Sequence, residues 1–85
     1  MATFFIQDIY KITGIGVIPV GQVKSGILRI GMKANIGGEL VEIKSIEVHH
    51  VVMKEAKEGD IVGLYLKNGN YDTLRNYVRK DVEFF

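Results

Sequence analysis

The chain has 85 residues, no cysteine and a formal net charge of +1. That length allows one domain, 1–85. The missing cysteines exclude disulfide scaffolds, thiolate zinc sites and cysteine nucleophiles, and the near-neutral charge argues against binding nucleic acid chiefly by neutralising phosphates. A domain of this size buries roughly 60% of the surface its unfolded chain exposes, so most apolar side chains are committed to the core and few remain to wall a deep catalytic cavity. The opening Met1–Asp8 lacks a basic region followed by a long apolar stretch, and no run approaches the roughly 20 apolar residues of a membrane helix. A cytoplasmic protein without a membrane segment is the expectation.

Period-two alternation and glycine turns dominate the chain. The first strand is expected at Phe4–Ile12, followed by a turn at Thr13–Gly16. A second strand spans Val17–Lys24, with Pro19 near its start, where a missing N–H does least harm. After Ser25-Gly26 comes a short strand, Ile27–Ile30. Met32, Ala34 and Ile36 then alternate with Lys33 and Asn35 as a half-buried strand. Gly37-Gly38 predicts a two-residue hairpin, because both positions accept φ > 0. The next strand is read as one long element, Glu39–Val52. Val41 and Ile43 share one phase and Ile46 and Val48 the other, which predicts a bulge or bend near Lys44-Ser45. Lys54–Glu58 is expected to form a charged turn or one helical turn. Ile61–Leu66 follows as a strand, Lys67–Asn70 as a loop, Tyr71–Tyr77 as a short helix, and Val78–Phe85 closes the structure as a last strand. Strands every 8–14 residues separated by glycine turns indicate an all-β fold, and closure into a barrel removes exposed sheet edges. The expected core includes Ile9, Val20, Val23, Leu28, Ile43, Ile46, Val62 and Leu64.

The catalytic and cofactor motifs fail on particular residues. Gly16–Gly21 has the glycine spacing of a phosphate loop but lacks the lysine and the serine or threonine that reach phosphate and magnesium, and no helix follows it. Gly14 and Gly16 begin a G-x-G pattern whose third glycine is replaced by Pro19. His49-His50, placed in a strand, would point to opposite faces and so would not chelate one metal together. Ser25 is not in a nucleophile-elbow pattern, and no carboxylate pair stands out as an acid–base couple. The expectation is a non-enzymatic chain with no bound nucleotide, cofactor or metal.

Four segments, in order, resemble domain 2 of the elongation factor Tu and elongation factor 1-alpha family. Gln7-Asp8-Ile9-Tyr10-Lys11-Ile12-Thr13-Gly14-Ile15-Gly16 is similar to its opening strand and turn. Val17-Ile18-Pro19-Val20-Gly21-Gln22-Val23-Lys24-Ser25-Gly26-Ile27-Leu28-Arg29-Ile30-Gly31-Met32 resembles T-V-P-V-G-R-V-E-T-G-V-L-K-P-G-M. Glu42–His50 resembles the bent strand E-V-K-S-V-E-M-H-H, and Glu55-Ala56 with Gly59–Leu64 resembles E-A-x-x-G-D-N-V-G. The resemblance covers Gln7 to Leu66 and implies a closed antiparallel β-barrel without the GTPase domain.

It also implies a role. In the complete factors this domain packs on the GTPase domain, helps to hold the aminoacylated 3′ end of tRNA and touches the ribosome. Carried over by position, the residues for the RNA end are Gln7, Asp8, Tyr10, Glu47, His49 and Tyr65. Carboxylates and amides there accept from ribose hydroxyls and amino groups, while a tyrosine ring or the stem of Glu47 lies on the terminal adenine. The implied partners are aminoacyl-tRNA, the ribosome or a GTPase-domain protein. The sequence departs from the family at Ile61, where the family has asparagine, at Gln22 in place of arginine, at Lys24 in place of glutamate and at Ile30 in place of proline. Two functions compete: a translation-related RNA-contacting module, and an accessory protein-interaction barrel that has lost RNA binding.

Overall fold

The computed structural model describes all residues, 1–85. Nine strands form: β1 (Ala2–Ile12), β2 (Gly16–Ser25), β3 (Ile27–Arg29), β4 (Lys33–Ile36), β5 (Glu39–Val48), β6 (Val51–Met53), β7 (Glu55–Lys57), β8 (Ile61–Leu66) and β9 (Asp81–Phe84). The only helical pieces are α1 (Tyr71–Leu74) and the single 3₁₀ turn Arg75–Tyr77. All pairings are antiparallel, in the order β4-β5-β8-β2-β1-β9. The two ends of that path meet where Lys33 and Phe85 exchange backbone hydrogen bonds, each 2.8 Å. One reciprocal pair therefore closes the barrel and leaves no long free edge in the main wall.

The alternation read from the sequence becomes an inside and an outside. Phe4, Ile6 and Ile9 of β1, Val23 of β2, Val41, Ile43 and Ile46 of β5, and Val62 and Leu64 of β8 meet in one core, joined by Val82 and Phe84. The rings of Phe4 and Phe84 pack edge to face, 6.4 Å apart. β3 and β7 form a separate two-stranded ribbon that delivers Leu28 and Ala56 to the same core. None of the 22 buried residues is polar or charged, so every side chain with chemistry to offer lies at the surface.

Three backbone devices set which side chains face out. Lys44 is the extra residue where the β5–β8 register shifts between Ile43 and Ser45. It restores the phase, so Ile43 and Ile46 both point inward despite their odd spacing. Gly37-Gly38, at φ 61° and 85°, makes the expected tight turn between Ile36 and Glu39. In β1 the register shifts between Ile6 and Asp8, which leaves Gln7 as an unpaired bulge residue. α1 is capped by Asn70, whose Oδ1 accepts from the Asp72 N–H at 2.8 Å. The helical segment is fastened to the Gly37 turn, whose N–H donates to Tyr77 Oη at 2.9 Å.

Three expectations are corrected. Glu39–Val52 is not one strand: β5 ends at Val48, His49 and His50 turn the chain at φ 49° and 66°, and β6 folds back with Val48 opposite Val51. Histidine is among the few non-glycine residues enriched in the left-handed region, which lets this pair make the turn. Lys54–Glu58 is not helical: its middle forms β7, with Ala56 inward and Glu55 and Lys57 outward. Val20 is not core. It lies three residues from the inward Val23 on a regular stretch of β2 and is half-buried on the outer face.

Candidate binding groove on the outer face

The β1 bulge and the His49-His50 turn determine what gathers outside the barrel. Residues paired across neighbouring strands share a face, and one such row runs Asp8, Val20, Gly63, Glu47 and Val52 across β1, β2, β8, β5 and β6. Gly63, in the middle, contributes no side chain. A Cβ there would stand 3.5 Å from Ile18 Cγ2 and 3.8 Å from Val20 Cγ2, so the glycine is the floor of a trough and those two side chains are its near wall.

Tyr10, Glu47, His49 and Tyr65 line this trough with Ile12, Ile18, Val20, His50 and Gly63, around a volume of about 290 Å³. Four of the six residues named from the sequence are therefore brought together from β1, β5, the hairpin turn and β8. Gln7 and Asp8 are not among the lining residues. Gln7 is the bulge residue, and Asp8 Oδ1 accepts from the Ile9 N–H at 2.8 Å, which ties one carboxylate oxygen to the local backbone. His49 reaches the trough as part of a tight turn, not by sharing a strand face with Glu47. The floor residue Gly63 and the wall residues Ile18 and Val20 were missed. The available signal was a glycine inside the strand pattern Ile61–Leu66, which often marks a close approach.

Tyr65 Oη donates to Glu47 Oε1 at 3.4 Å. Desolvation in the trough, followed by the Glu47 charge and this hydrogen bond, raises the phenol above its ordinary 10.0. Tyr10 is 53% exposed and presents an open ring face. Together the groups provide a carboxylate acceptor, two phenols, two imidazoles and an apolar floor. That set suits a flat heteroaromatic group with a hydroxyl-bearing neighbour. No group of three or more histidines and carboxylates is close enough to hold a metal ion.

A second depression adjoins the first and shares His49 with it. Val48, Val51, Met53, Lys57, Asp60 and Ile61 line about 420 Å³ there. Val51 is 59% exposed and Ile61 56%, so its apolar surface is open. A larger open concavity of about 820 Å³ lies between the Ile12–Gly16 turn and Gly69–Asp72, and it contains none of the six residues named from the sequence.

Comparison with known proteins gives a consistent set of relatives. The family model described as elongation factor Tu domain 2 matches residues 16–76. Elongation factor 1-alpha of Plasmodium falciparum (isolate K1 / Thailand) is 43% identical over 81 residues, covering 92% of this chain and 18% of that protein. Elongation factor 1-alpha of Eimeria bovis is 44% identical over 79 residues, covering 89% and 23%. The chain thus spans about a fifth of the length of these relatives. Among solved structures, translation elongation factor SelB from Methanococcus maripaludis, in its apo form, superposes with a TM-score of 0.82 at 20% identity, over 95% of this chain and 17% of that one. At that identity the structural likeness bears on the fold alone.

Proposed function

The chain belongs to the elongation factor Tu domain 2 family, and we propose that this translation-factor module is non-catalytic and takes the aminoacylated 3′ end of a tRNA in its outer-face groove. The observation that carries the proposal is the convergence of Tyr10, Glu47, His49 and Tyr65, from distant parts of the chain, on one trough floored by Gly63. The terminal adenine stacks on an exposed tyrosine face, and the Glu47 carboxylate accepts from a ribose hydroxyl. Gln7 and Asp8 act at its margin, through the bulge that sets the outward phase of Tyr10. The ribosome and a GTPase-domain protein are the further partners proposed, and the chain itself binds no guanine nucleotide.

With a net charge of +1, counterion release contributes little, so the dissociation constant should be no tighter than about 10⁻⁴ M. The test is a titration of labelled protein with a short, hydrolysis-stable aminoacylated CCA mimic, followed through backbone amide shifts. Shifts should cluster at Tyr10, Glu47, His49 and Tyr65, and weaken in folded Tyr10→Ala and Glu47→Ala variants. Shifts scattered over Lys24, Arg29 and Lys33, or none at all, would overturn the proposal.

The second reading, a protein-interaction barrel, draws support from the exposed apolar run Val51, Val52 and Met53 beside Ile61. Apolar side chains grouped at a short sheet edge suit a protein partner.

A further inference from the structure

The two neighbours of β1 are unequal in length. β2 accompanies it from Thr3 to Ile12, whereas β9 pairs only with Ala2–Phe5. Lys80 O and Arg79 N–H extend the β9 side by one residue, to Ile6, and beyond that this edge of β1 has no strand against it. Pro19 lies opposite Ile9 and has no N–H to give, so Ile9 and Pro19 form a pair that exchanges no hydrogen bonds. Alternation along the ladder then turns the backbone groups of Ile9 and Lys11 away from β2, toward the open edge. The Ile9 N–H is satisfied there by its neighbour, since Asp8 Oδ1 accepts it at 2.8 Å. The Ile9 C=O and the N–H and C=O of Lys11 take part in no backbone hydrogen bond outside the strand ladders.

This edge borders the open concavity of about 820 Å³ between the Lys11–Val17 turn and Gly69–Asp72. Lys11 stands on one wall and Asp72 on the other, and neither is ion-paired, the single salt bridge being Arg29–Glu55. Ile12 and Ile15, 39% and 57% exposed, add apolar surface. We infer that the concavity is a strand-addition site for an extended segment of a partner protein, with an acidic residue for Lys11, a basic residue for Asp72 and apolar residues alternating with them. The site is separate from the trough, with which it shares only Ile12. In an antiparallel arrangement one ligand residue exchanges both backbone bonds with Lys11, and the next but one donates to the Ile9 C=O. Those two ligand side chains share the face of Lys11; their neighbours lie on the other face, that of Tyr10 and Ile12. The facing wall, Gly69–Asp72, suits a single extended segment better than the edge of a second barrel.

The test is a titration of the labelled 85-residue chain with the peptide acetyl-Val-Glu-Val-Lys-Val-amide, followed through backbone amide shifts. Shifts should appear at Ile9, Lys11 and Gly69–Asp72, and not at Glu47 or Tyr65. A peptide N-methylated at Glu and Lys loses the donors that face β1 and should bind about tenfold more weakly, whereas N-methylation of the central Val should change little. Lys11→Pro removes the edge N–H but no ladder bond, and should likewise weaken binding about tenfold in a protein that circular dichroism shows to be folded. Lys11→Glu keeps that N–H and should prefer the peptide in which Lys replaces Glu. A peptide that shifts none of these amides, or binds equally well when N-methylated at Glu and Lys, would overturn the strand-addition site. So would the same amides responding to oligouridylate instead, which would make the concavity an RNA surface, or to protein concentration alone, which would make a second copy the occupant. None of these outcomes bears on the trough, which the aminoacylated CCA mimic tests by itself.

Discussion

Tyr65 and Glu47 meet across the β5–β8 pair, where the phenol donates to the carboxylate at 3.4 Å. Desolvation, the Glu47 charge and the hydrogen bond all favour the neutral phenol, so its folded-state pKa lies above 10.0. A raised value means that the contribution to stability is complete below pH 10.0 and is lost as pH rises through the folded-state pKa. Glu47→Gln should lower the Tyr65 pKa toward 10.0 without reaching it, because desolvation, the largest cause, remains. A pH titration of the Tyr65 ring resonances checks this. An unchanged midpoint would mean that the pair is not coupled.

The His49-His50 turn holds two non-glycine residues at φ 49° and 66°. A left-handed backbone disfavours ordinary side chains by about 1–2 kcal/mol per residue, and Asn-Gly is the preferred pair for a two-residue hairpin. His49→Asn with His50→Gly should stabilise the domain by about 1 kcal/mol, or roughly 4–8 °C in Tm for a domain of this size. Thermal unfolding followed by circular dichroism measures it. Destabilisation would show that the imidazoles make contacts that outweigh the backbone preference.

Arg79 makes the same kind of prediction in a different turn. It sits at φ 69° after Val78, at φ −60° and ψ 131°, and the Lys80 N–H donates to Tyr77 O at 3.0 Å. That is a type II turn, whose third position favours glycine. Arg79 is exposed, so Arg79→Gly should gain about 1 kcal/mol in urea unfolding with an unchanged m-value. A loss of stability would indicate that the guanidinium has a structural partner.

The sequence was legible where one residue type dictates one backbone. Gly37-Gly38 and the phase break at Lys44 gave the hairpin and the bulge, and with them seven of the eight expected core residues. It was opaque where several conformations fit. Glu47–Met53 alternates poorly but contains no glycine or proline, so β5, the turn and β6 read as one strand. Lys54–Glu58 contains good helix formers, and only the pairing with β3 makes Glu55–Lys57 extended. The groove was legible in part. Resemblance supplied Tyr10, Glu47, His49 and Tyr65, whereas the bulge that leaves Gln7 unpaired appears only in the β1–β2 register.

Two strand glycines should differ sharply in their tolerance of the same change, and the contrast isolates the groove from the fold. Gly21 faces inward opposite Ile6, and a Cβ there would collide with the Phe5 carbonyl oxygen and stand 2.8 Å from its carbon. The obstruction is backbone, so Gly21→Ala should destabilise by about 3 kcal/mol or more, as expected when overpacking forces a main-chain shift. At Gly63 the nearest atoms are side chains at 3.5 and 3.8 Å, an ordinary packing distance, and its outward position opens on the trough. Gly63→Ala should therefore change stability by no more than about 1 kcal/mol, the ordinary scale for glycine to alanine in regular structure. Gly63→Val should keep the fold but fill the floor between Ile18 and Glu47. Circular dichroism and urea unfolding would establish that both Gly63 variants are native-like, and the aminoacylated CCA mimic would then be titrated into each. The alanine variant should bind more weakly than the original chain and the valine variant should show no amide shifts at Tyr10, Glu47 or Tyr65. A native-like Gly63→Val protein that binds the mimic unchanged would show that the ligand does not reach the floor of the trough.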